Sequence, residues 1–290
     1  MTDISNNPKK IKITCDSTCD LTPQMYEKYD IEVLPLGIVV GDELKRDSVD
    51  INPPGIFEYV SKTGMLPKTS AASVAEYCEL FSKFTSQGYA VIHINISAEF
   101  SSCHANACMA ATQTDGEVYV IDSRNLSTGS GHLAILGSEL AAKGMPAKDV
   151  AEALDEAKLR LDVSFVLQTL DYLQKGGRCP GVVAFGANLL KLRPEIEVRD
   201  GKMTVGKKYR GSMEKSIFDY VRGRLEGRTD IDTHRIFVTH SYVPQELVDK
   251  VVDYVKQLHP FEEVLVSYAG CAVSSHCGPN CLGVLFFKKP

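Results

Sequence analysis

The sequence lacks the short motifs that mark several common classes of enzyme. It contains no GxGxxG, no GxxxxGKS/T, no HExxH and no GxSxG. The signatures of a nucleotide-binding loop, a zincin protease and an α/β-hydrolase elbow are therefore missing. Serines are abundant, but their spacing assigns no Ser-His-acid arrangement. No standard catalytic motif can be placed on this chain.

Long apolar runs and an excess of positive charge are also missing. No stretch reaches the roughly 18 apolar residues of a membrane span, and residues 1–10 lack the apolar core of an export signal. Lys and Arg number 32 against 37 Asp and Glu, a net charge of −5. A chain without an excess of positive charge does not attract the negatively charged backbone of nucleic acid. We expect a cytoplasmic protein with no nucleic-acid partner and no stable membrane insertion.

The nine cysteines show no CxxC spacing. An odd number of cysteines scattered over a long chain argues for reduced thiols rather than a disulfide framework. Cys271, Cys277 and Cys281 lie close together and leave a metal site as an alternative. Because the sequence has no paired Cys or His motif elsewhere that could complete a set of metal ligands, buried or loop thiols are the favoured interpretation. We expect no metal and no cofactor.

The hydrophobic pattern predicts an α/β fold. A length of 290 residues suits two domains, which we place at residues 10–165 and 166–290. Short β-branched runs alternate with amphipathic ones, which is typical of βα units around largely parallel sheets. The predicted strands are 10–15, 31–40, 89–94, 118–122, 181–185, 235–239, 264–268 and 282–288. The predicted helices include 73–87, 147–161 and 244–258, and Asp200-Gly201 predicts a hairpin turn.

Hydroxyl-rich turns occur at residues 15–21, 68–73, 95–103 and 122–131. Three of them follow predicted parallel strands, whose carboxyl ends meet at one edge of a sheet, where open α/β folds bind ligands. Free N–H groups and hydroxyls at a helix start favour an anion, and Thr69 or Ser70 could donate to a carboxylate. Simple helix capping is the alternative for each turn taken alone.

A histidine, His276, lies in a short polar turn between two predicted strands near the C-terminus. It could donate to a carboxylate, and its charge would respond near neutral pH. The alternative is a structural or solvated histidine, as most single histidines are.

Several segments, taken in order, resemble the DegV family of bacterial fatty-acid-binding proteins. The resemblance runs from about Ile11 to the last predicted strand. It is carried by Asp16-Ser17-Thr18-Cys19-Asp20-Leu21, Lys68-Thr69-Ser70 with Ser73, Ile96-Ser97 through Ser101, Asp122-Ser123, Ser127-Thr128-Gly129-Ser130-Gly131, Leu170-Asp171-Tyr172-Leu173, Lys175-Gly176-Gly177-Arg178 and His276-Cys277-Gly278-Pro279.

The resemblance implies a non-enzymatic carrier with its lipid site at the cleft between the two domains. A long-chain fatty acid would place its carboxylate on Thr69 and Ser101, assisted by the Ser102 amide and by His276, with Ser70 as an additional donor. The acyl tail would be buried, and a separate fatty-acid kinase would be the partner that phosphorylates the acid. Ser102 and Asn280 stand where the family has glycine.

Two other functions stay open from the residues alone. One is a hydrolase or phosphotransferase that uses Ser101, His276 and Asp16 or Asp122, which would need a base within hydrogen-bond reach of Ser101. The other is a regulatory protein whose lipid is only structural. Retention of lipid by the purified protein separates a carrier from an esterase.

Overall fold

The structure is a computed structural model that describes residues 9–179, 181 and 192–290. We divide it into an N-terminal part, from Ile11 to Ala157, and a C-terminal part, from Leu161 onward. In the N-terminal part the strands are β1 Ile11–Asp16, β2 Ile31–Leu34, β3 Gly37–Val40, β4 Glu43–Arg46, β5 Lys68–Ser70, β6 Ala90–Asn95 and β7 Val118–Asp122. The helices are α1 Pro23–Lys28, α2 Pro53–Thr63, α3 Val74–Thr85, α4 Cys103–Gln113, α5 Thr128–Ala142 and α6 Ala147–Ala157.

The first sheet is parallel, with strand order β2-β1-β6-β7. Its central strand β6 is buried along its whole length, because helices cover both faces of a parallel sheet. The carboxyl ends of β1, β6 and β7 lie side by side, as the sequence pattern predicts. This edge brings the hydroxyl-rich turns after these strands together.

The predicted strand at residues 31–40 is two strands in different sheets. β2 joins the parallel sheet, whereas β3 lies between β4 and β5 in a three-stranded antiparallel sheet. Pro35 separates the two strands, and its missing N–H interrupts a hydrogen-bonded ladder. β3 therefore leaves the first sheet, and β5 pairs with it in the antiparallel sheet.

The C-terminal part contains a six-stranded mixed sheet. Its strands are β8 Leu161–Val166, β9 Leu192–Arg199, β10 Lys202–Arg210, β11 Ile231–Ser241, β12 Glu263–Tyr268 and β13 Cys281–Lys288. Its helices are α7 Asp171–Gly176, α8 Met213–Leu225, α9 Gln245–Leu258 and α10 Cys271–Cys277. The strand order is β10-β9-β8-β13-β11-β12, and within the described part of this sheet only β11 and β12 pair in parallel.

The predicted α/β class is confirmed, and the largely parallel character holds for the first sheet. The second sheet is mixed: β9 and β10 form a hairpin, whose tight turn requires antiparallel neighbours, and β13 is antiparallel to both β8 and β11. Asp200 and Gly201 form that turn with φ of 51° and 80°, as predicted for a tight Asp-Gly turn. The predicted strand at 181–185 lies, apart from Gly181, outside the described residues.

Helix boundaries follow local capping chemistry. Ser73 and Glu76 form a capping box at the start of α3, so the helix predicted at 73–87 is confirmed. The helix predicted at 147–161 ends earlier, since Lys158–Arg160 form a 3-10 turn and Leu161 begins β8. β8 pairs with β13 and β9 of the second sheet, while the division of the chain at residues 165 and 166 stays a prediction.

The largest apolar cluster runs through both parts of the molecule. Leu133 and Ile135 of α5 belong to it together with Phe165, Phe237 and Leu285 of the second sheet. The seam between the two parts is therefore an apolar core. Within residues 9–179, 181 and 192–290, no helix is both long enough and apolar enough to span a bilayer.

Candidate functional site

A cavity of about 320 Å³ lies between the two parts of the molecule. It is lined by every site residue that the sequence indicated: Thr69, Ser70, Ser101, Ser102 and His276. The apolar side chains of its wall are Leu36, Ala71, Ile96, Phe100, Leu126, Met203, Ala272, Val273 and Cys277. A hydroxyl-lined end joined to an apolar wall suits an amphipathic ligand.

Thr69 and His276 contact each other across the seam, although they are 207 positions apart. The Thr69 hydroxyl lies 3.1 Å from Nε2 of His276. If Nε2–H donates to the Thr69 oxygen, the Thr69 hydroxyl proton stays free to donate to a ligand. This pair can therefore present one oriented O–H to an anion.

His276 lies in the last turn of α10, a short helix, rather than in the polar turn predicted from the sequence. Burial, with a smaller contribution from the Arg178 charge, lowers the pKa of His276 to about 4. The predicted response near neutral pH is therefore wrong, because a desolvated imidazole stays neutral there. Its Nδ1 is buried without a hydrogen-bond partner in the described structure and faces Gly176, where any side chain would collide with the ring.

Ser101 and Ser102 lie at the N-terminal end of α4. The Ser101 hydroxyl lies 3.1 Å from Sγ of Cys103 and accepts the Cys103 amide at 3.2 Å. The Ser102 side chain makes no capping bond, and its amide has no partner among the described residues. An unpaired N–H at the positive end of a helix favours an anion at this point of the cavity.

Ser70 is exposed at the edge of the cavity. Its hydroxyl makes one long contact, 3.4 Å to the carbonyl oxygen of Ala71. Ser70 is therefore less fixed than Thr69, which is held by His276.

Arg178 lines the same cavity, and the sequence analysis gave it no role. Its guanidinium donates to the carbonyl oxygens of Gly176 at 2.7 Å and Phe100 at 3.4 Å. Its position directly after the glycine pair Gly176-Gly177 is the sequence feature that could have indicated a role for it. Since its bonds go to backbone carbonyls, the side chain bridges α7 and the segment before α4.

The acids of the neighbouring turns have structural partners. Asp16 accepts hydrogen bonds from Tyr77, Asn95 and the Ile96 amide. Asp122 accepts the amides of Ala98 and Arg124. These two carboxylates therefore hold the turns of the sheet edge in place.

The surroundings of Ser101 decide whether it could act as a nucleophile. Within the described parts of the chain, neither a histidine nor a carboxylate hydrogen-bonds the Ser101 hydroxyl. Serine-dependent turnover requires such a base within hydrogen-bond reach.

A smaller, more apolar cavity adjoins the first one in the core. A smaller cavity of about 30 Å³ shares Leu126, Val273 and Cys277 with the first one. Phe165 and Leu285 are among its walls. Leu126, Val273 and Cys277 therefore form the wall that the two cavities share, on the side of the second sheet.

A further cavity, of about 360 Å³, is lined mainly by charged residues. Arg224 on its wall already pairs with Asp162, Glu195 and Glu197. Its polar lining does not suit an acyl chain.

Cys271, Cys277 and Cys281 are buried free thiols. No group of three metal-ligating side chains comes together in the described residues.

Comparisons with known proteins identify the family. The family model described as "Uncharacterised protein, DegV family" matches residues 10–289. A DegV domain-containing protein of Clostridium acetobutylicum is 31% identical over 284 residues, which cover 97% of this chain and 99% of the relative.

Two solved structures share the fold. A fatty-acid-binding DegV family protein from Thermus thermophilus superposes with a TM-score of 0.86 at 28% identity, covering 96% of this chain and 99% of that one. A stearic-acid-binding protein from Eubacterium ventriosum gives 0.85 at 25% identity, with 96% and 98% covered. With a family match over nearly its whole length, the chain belongs to the DegV family.

Proposed function

We propose that this protein binds one long-chain fatty acid in the cavity between its two parts. The observation that carries the proposal is the meeting of Thr69, Ser101, Ser102 and His276 in a cavity with apolar walls, which a smaller apolar cavity of the core adjoins. The carboxylate accepts hydrogen bonds from the two hydroxyls and the Ser102 amide. The fatty-acid-binding relatives from Thermus thermophilus and Eubacterium ventriosum support this choice of ligand.

The acyl tail supplies most of the affinity in this proposal. Burial of about fourteen methylenes at about 0.8 kcal/mol each amounts to on the order of 10 kcal/mol before association costs. The path between Leu126 and Val273 leads the tail toward Phe165 and Leu285. The hydroxyls at the other end then fix the orientation of the acid.

The site acts in binding rather than in catalysis. Ser101 lacks a base within reach in the described structure, and His276 contacts Thr69 instead. Asp16 and Asp122 are held by other groups. These contacts favour a carrier over the serine-dependent hydrolase or phosphotransferase.

The carrier presents the bound acid to a separate fatty-acid kinase for phosphorylation. Ser70 and Ser102 line the head-group end and are exposed to solvent, so a second protein can approach the carboxylate there. Hydroxyl and amide donors hold a carboxylate without an ion pair, which suits a ligand that another protein must act on.

Native mass spectrometry of the purified protein tests the proposal. We expect a mass increase that matches one long-chain fatty acid, its loss on delipidation, and saturable one-to-one rebinding of stearic acid. Protein from several expression hosts that carries no fatty acid and cannot be loaded with one would refute the proposed function.

A further inference from the structure

The helix α10 forms much of the head-group wall although it has only 7 residues. Ala272, Val273, His276 and Cys277 of this helix all line the cavity. A helix this short is not stable by itself. Contacts with the rest of the molecule must therefore fix the position of His276.

Two buried carboxylates of the N-terminal part hold the first turn of α10. Asp47 accepts the Cys271 amide at 2.8 Å and the Ala272 amide at 3.2 Å. Asp20 accepts the amide of Gly270, which precedes the helix, at 2.8 Å. Three consecutive N–H groups that a helix cannot satisfy internally are thus bound by the other part of the chain.

The two carboxylates are themselves fixed by hydroxyls. Ser17 and Ser48 donate to Asp47 at 2.9 and 3.0 Å, and Ser127 donates to Asp20 at 2.5 Å. Asp47 is 1% exposed and Asp20 is 4% exposed. No lysine or arginine in the described ranges pairs with either acid, so the helix N-terminus provides the compensating positive charge.

Gly270 leaves room for this arrangement. A Cβ at this position would lie 3.0 Å from Oδ1 of Asp20 and 3.4 Å from both carboxylate oxygens of Asp47. Both acids therefore converge on one backbone position, and α10 has little freedom to shift against them.

We propose that Asp47, together with Asp20, is a positioning residue that holds α10 so that His276 orients Thr69 toward the ligand carboxylate. This inference rests on the proposed function and extends it to two residues that do not line the cavity. Burial raises the pKa of Asp20, and the neighbouring Asp47 charge adds to that rise. Because a raised pKa favours the neutral form of Asp20, Asp47 is the better position for a substitution that removes one charge.

The test compares stearic acid with octadecanol, which has the same tail and no carboxylate. In Asp47→Asn one oxygen that accepts an α10 amide becomes an NH₂ group, which repels that amide. We expect the Kd for octadecanol divided by the Kd for stearic acid to fall about tenfold, because only the acid loses an interaction, the scale being that of one hydrogen bond to a charged group. Asp162→Asn is the matched control, because Asp162 is a largely buried acid that pairs with Arg224 and Arg228, away from α10.

A double-mutant comparison separates positioning from general destabilisation. In a His276→Ala background, Asp47→Asn should change the same ratio, the Kd for octadecanol divided by the Kd for stearic acid, less than twofold, because the group through which it acts is already missing. A tenfold fall in that background as well would overturn the inference. So would a ratio within twofold of wild type in the single variant.

The NMR signals of the His276 ring test the inference without a ligand. Asp47→Asn should shift them in the ligand-free protein, whereas Asp162→Asn should not. Unshifted signals in the Asp47 variant would refute the positioning role. If wild type fails to bind stearic acid while the ring signals do shift, the proposed function fails and the positioning of His276 stands.

A milder variant keeps the test decisive if Asp47→Asn does not fold. Ser48 is exposed and makes one hydrogen bond to Asp47, so Ser48→Ala should fold. It should shift the His276 signals in the same direction by a smaller amount. Unchanged signals in this variant would count against the inference.

Discussion

Replacement of Thr69 by valine removes one hydroxyl at constant shape. The Thr69 oxygen lies 3.1 Å from Nε2 of His276 and, in the proposed complex, its proton goes to the carboxylate. Loss of a hydrogen bond to a charged group costs about 1–3 kcal/mol. The unpaired His276 nitrogen is a cost in both the free and the bound protein. The unpaired nitrogen therefore lowers the free energy of unfolding of the valine variant and does not change its affinity for the ligand.

We expect Thr69→Val to weaken stearic acid binding about 5- to 150-fold. Displacement of a fluorescent fatty acid measures this Kd, and octadecanol serves as the ligand that lacks the carboxylate. Thr69→Ser keeps the hydroxyl and should stay near wild type. Ser70→Ala should change the Kd less than threefold, since the Ser70 hydroxyl makes only a long contact to Ala71. Equal affinities for Thr69→Val and wild type, with the fold intact, would remove Thr69 from the site.

Three further predictions follow from other contacts. His276→Ala should reduce phosphate transfer by a partner kinase more than lipid retention, as measured by turnover and native mass spectrometry, because the tail carries most of the binding energy. Phe165→Ala should lower the free energy of unfolding by about 3–5 kcal/mol in urea and shift the retained lipids toward longer chains; an unchanged chain-length profile would contradict the tail path. Burial lowers the pKa of His240 from 6.5 to about 4, so the unfolded chain binds more protons and stability should fall as pH drops from about 6.5 to 4, with a shallower fall in His240→Phe.

The sequence pattern was sufficient for the features that depend on neighbouring residues. The α/β class, the Asp-Gly hairpin and the capped start of α3 follow from periodicity and turn chemistry. The turns after β1, β6 and β7 could be brought together because parallel strands share one edge. Ser101, which follows β6, was therefore accessible from the pattern, whereas Thr69 lies on β5 of the antiparallel sheet and its place beside Ser101 was an expectation from the family resemblance.

Other features depend on contacts between distant segments. The helix α10 could not be predicted from its seven residues, since Asp20 and Asp47, more than 220 positions earlier, bind its first amides. The pKa of His276 depends on burial that its neighbours in sequence do not reveal. The mixed second sheet depends on where β13 inserts, and strand propensity does not specify an insertion point.

The position of β13 has a consequence for how the protein is made. β13 follows every other described strand in sequence, yet it lies between β8 and β11 in the middle of the second sheet. On the ribosome, β8 and β11 therefore emerge with their facing edges unpaired, and the sheet closes only after β13 has been synthesised. Exposed strand edges template association with other chains. The nascent chain should consequently depend on chaperones until β13 has emerged, well after the parallel sheet of the N-terminal part has formed.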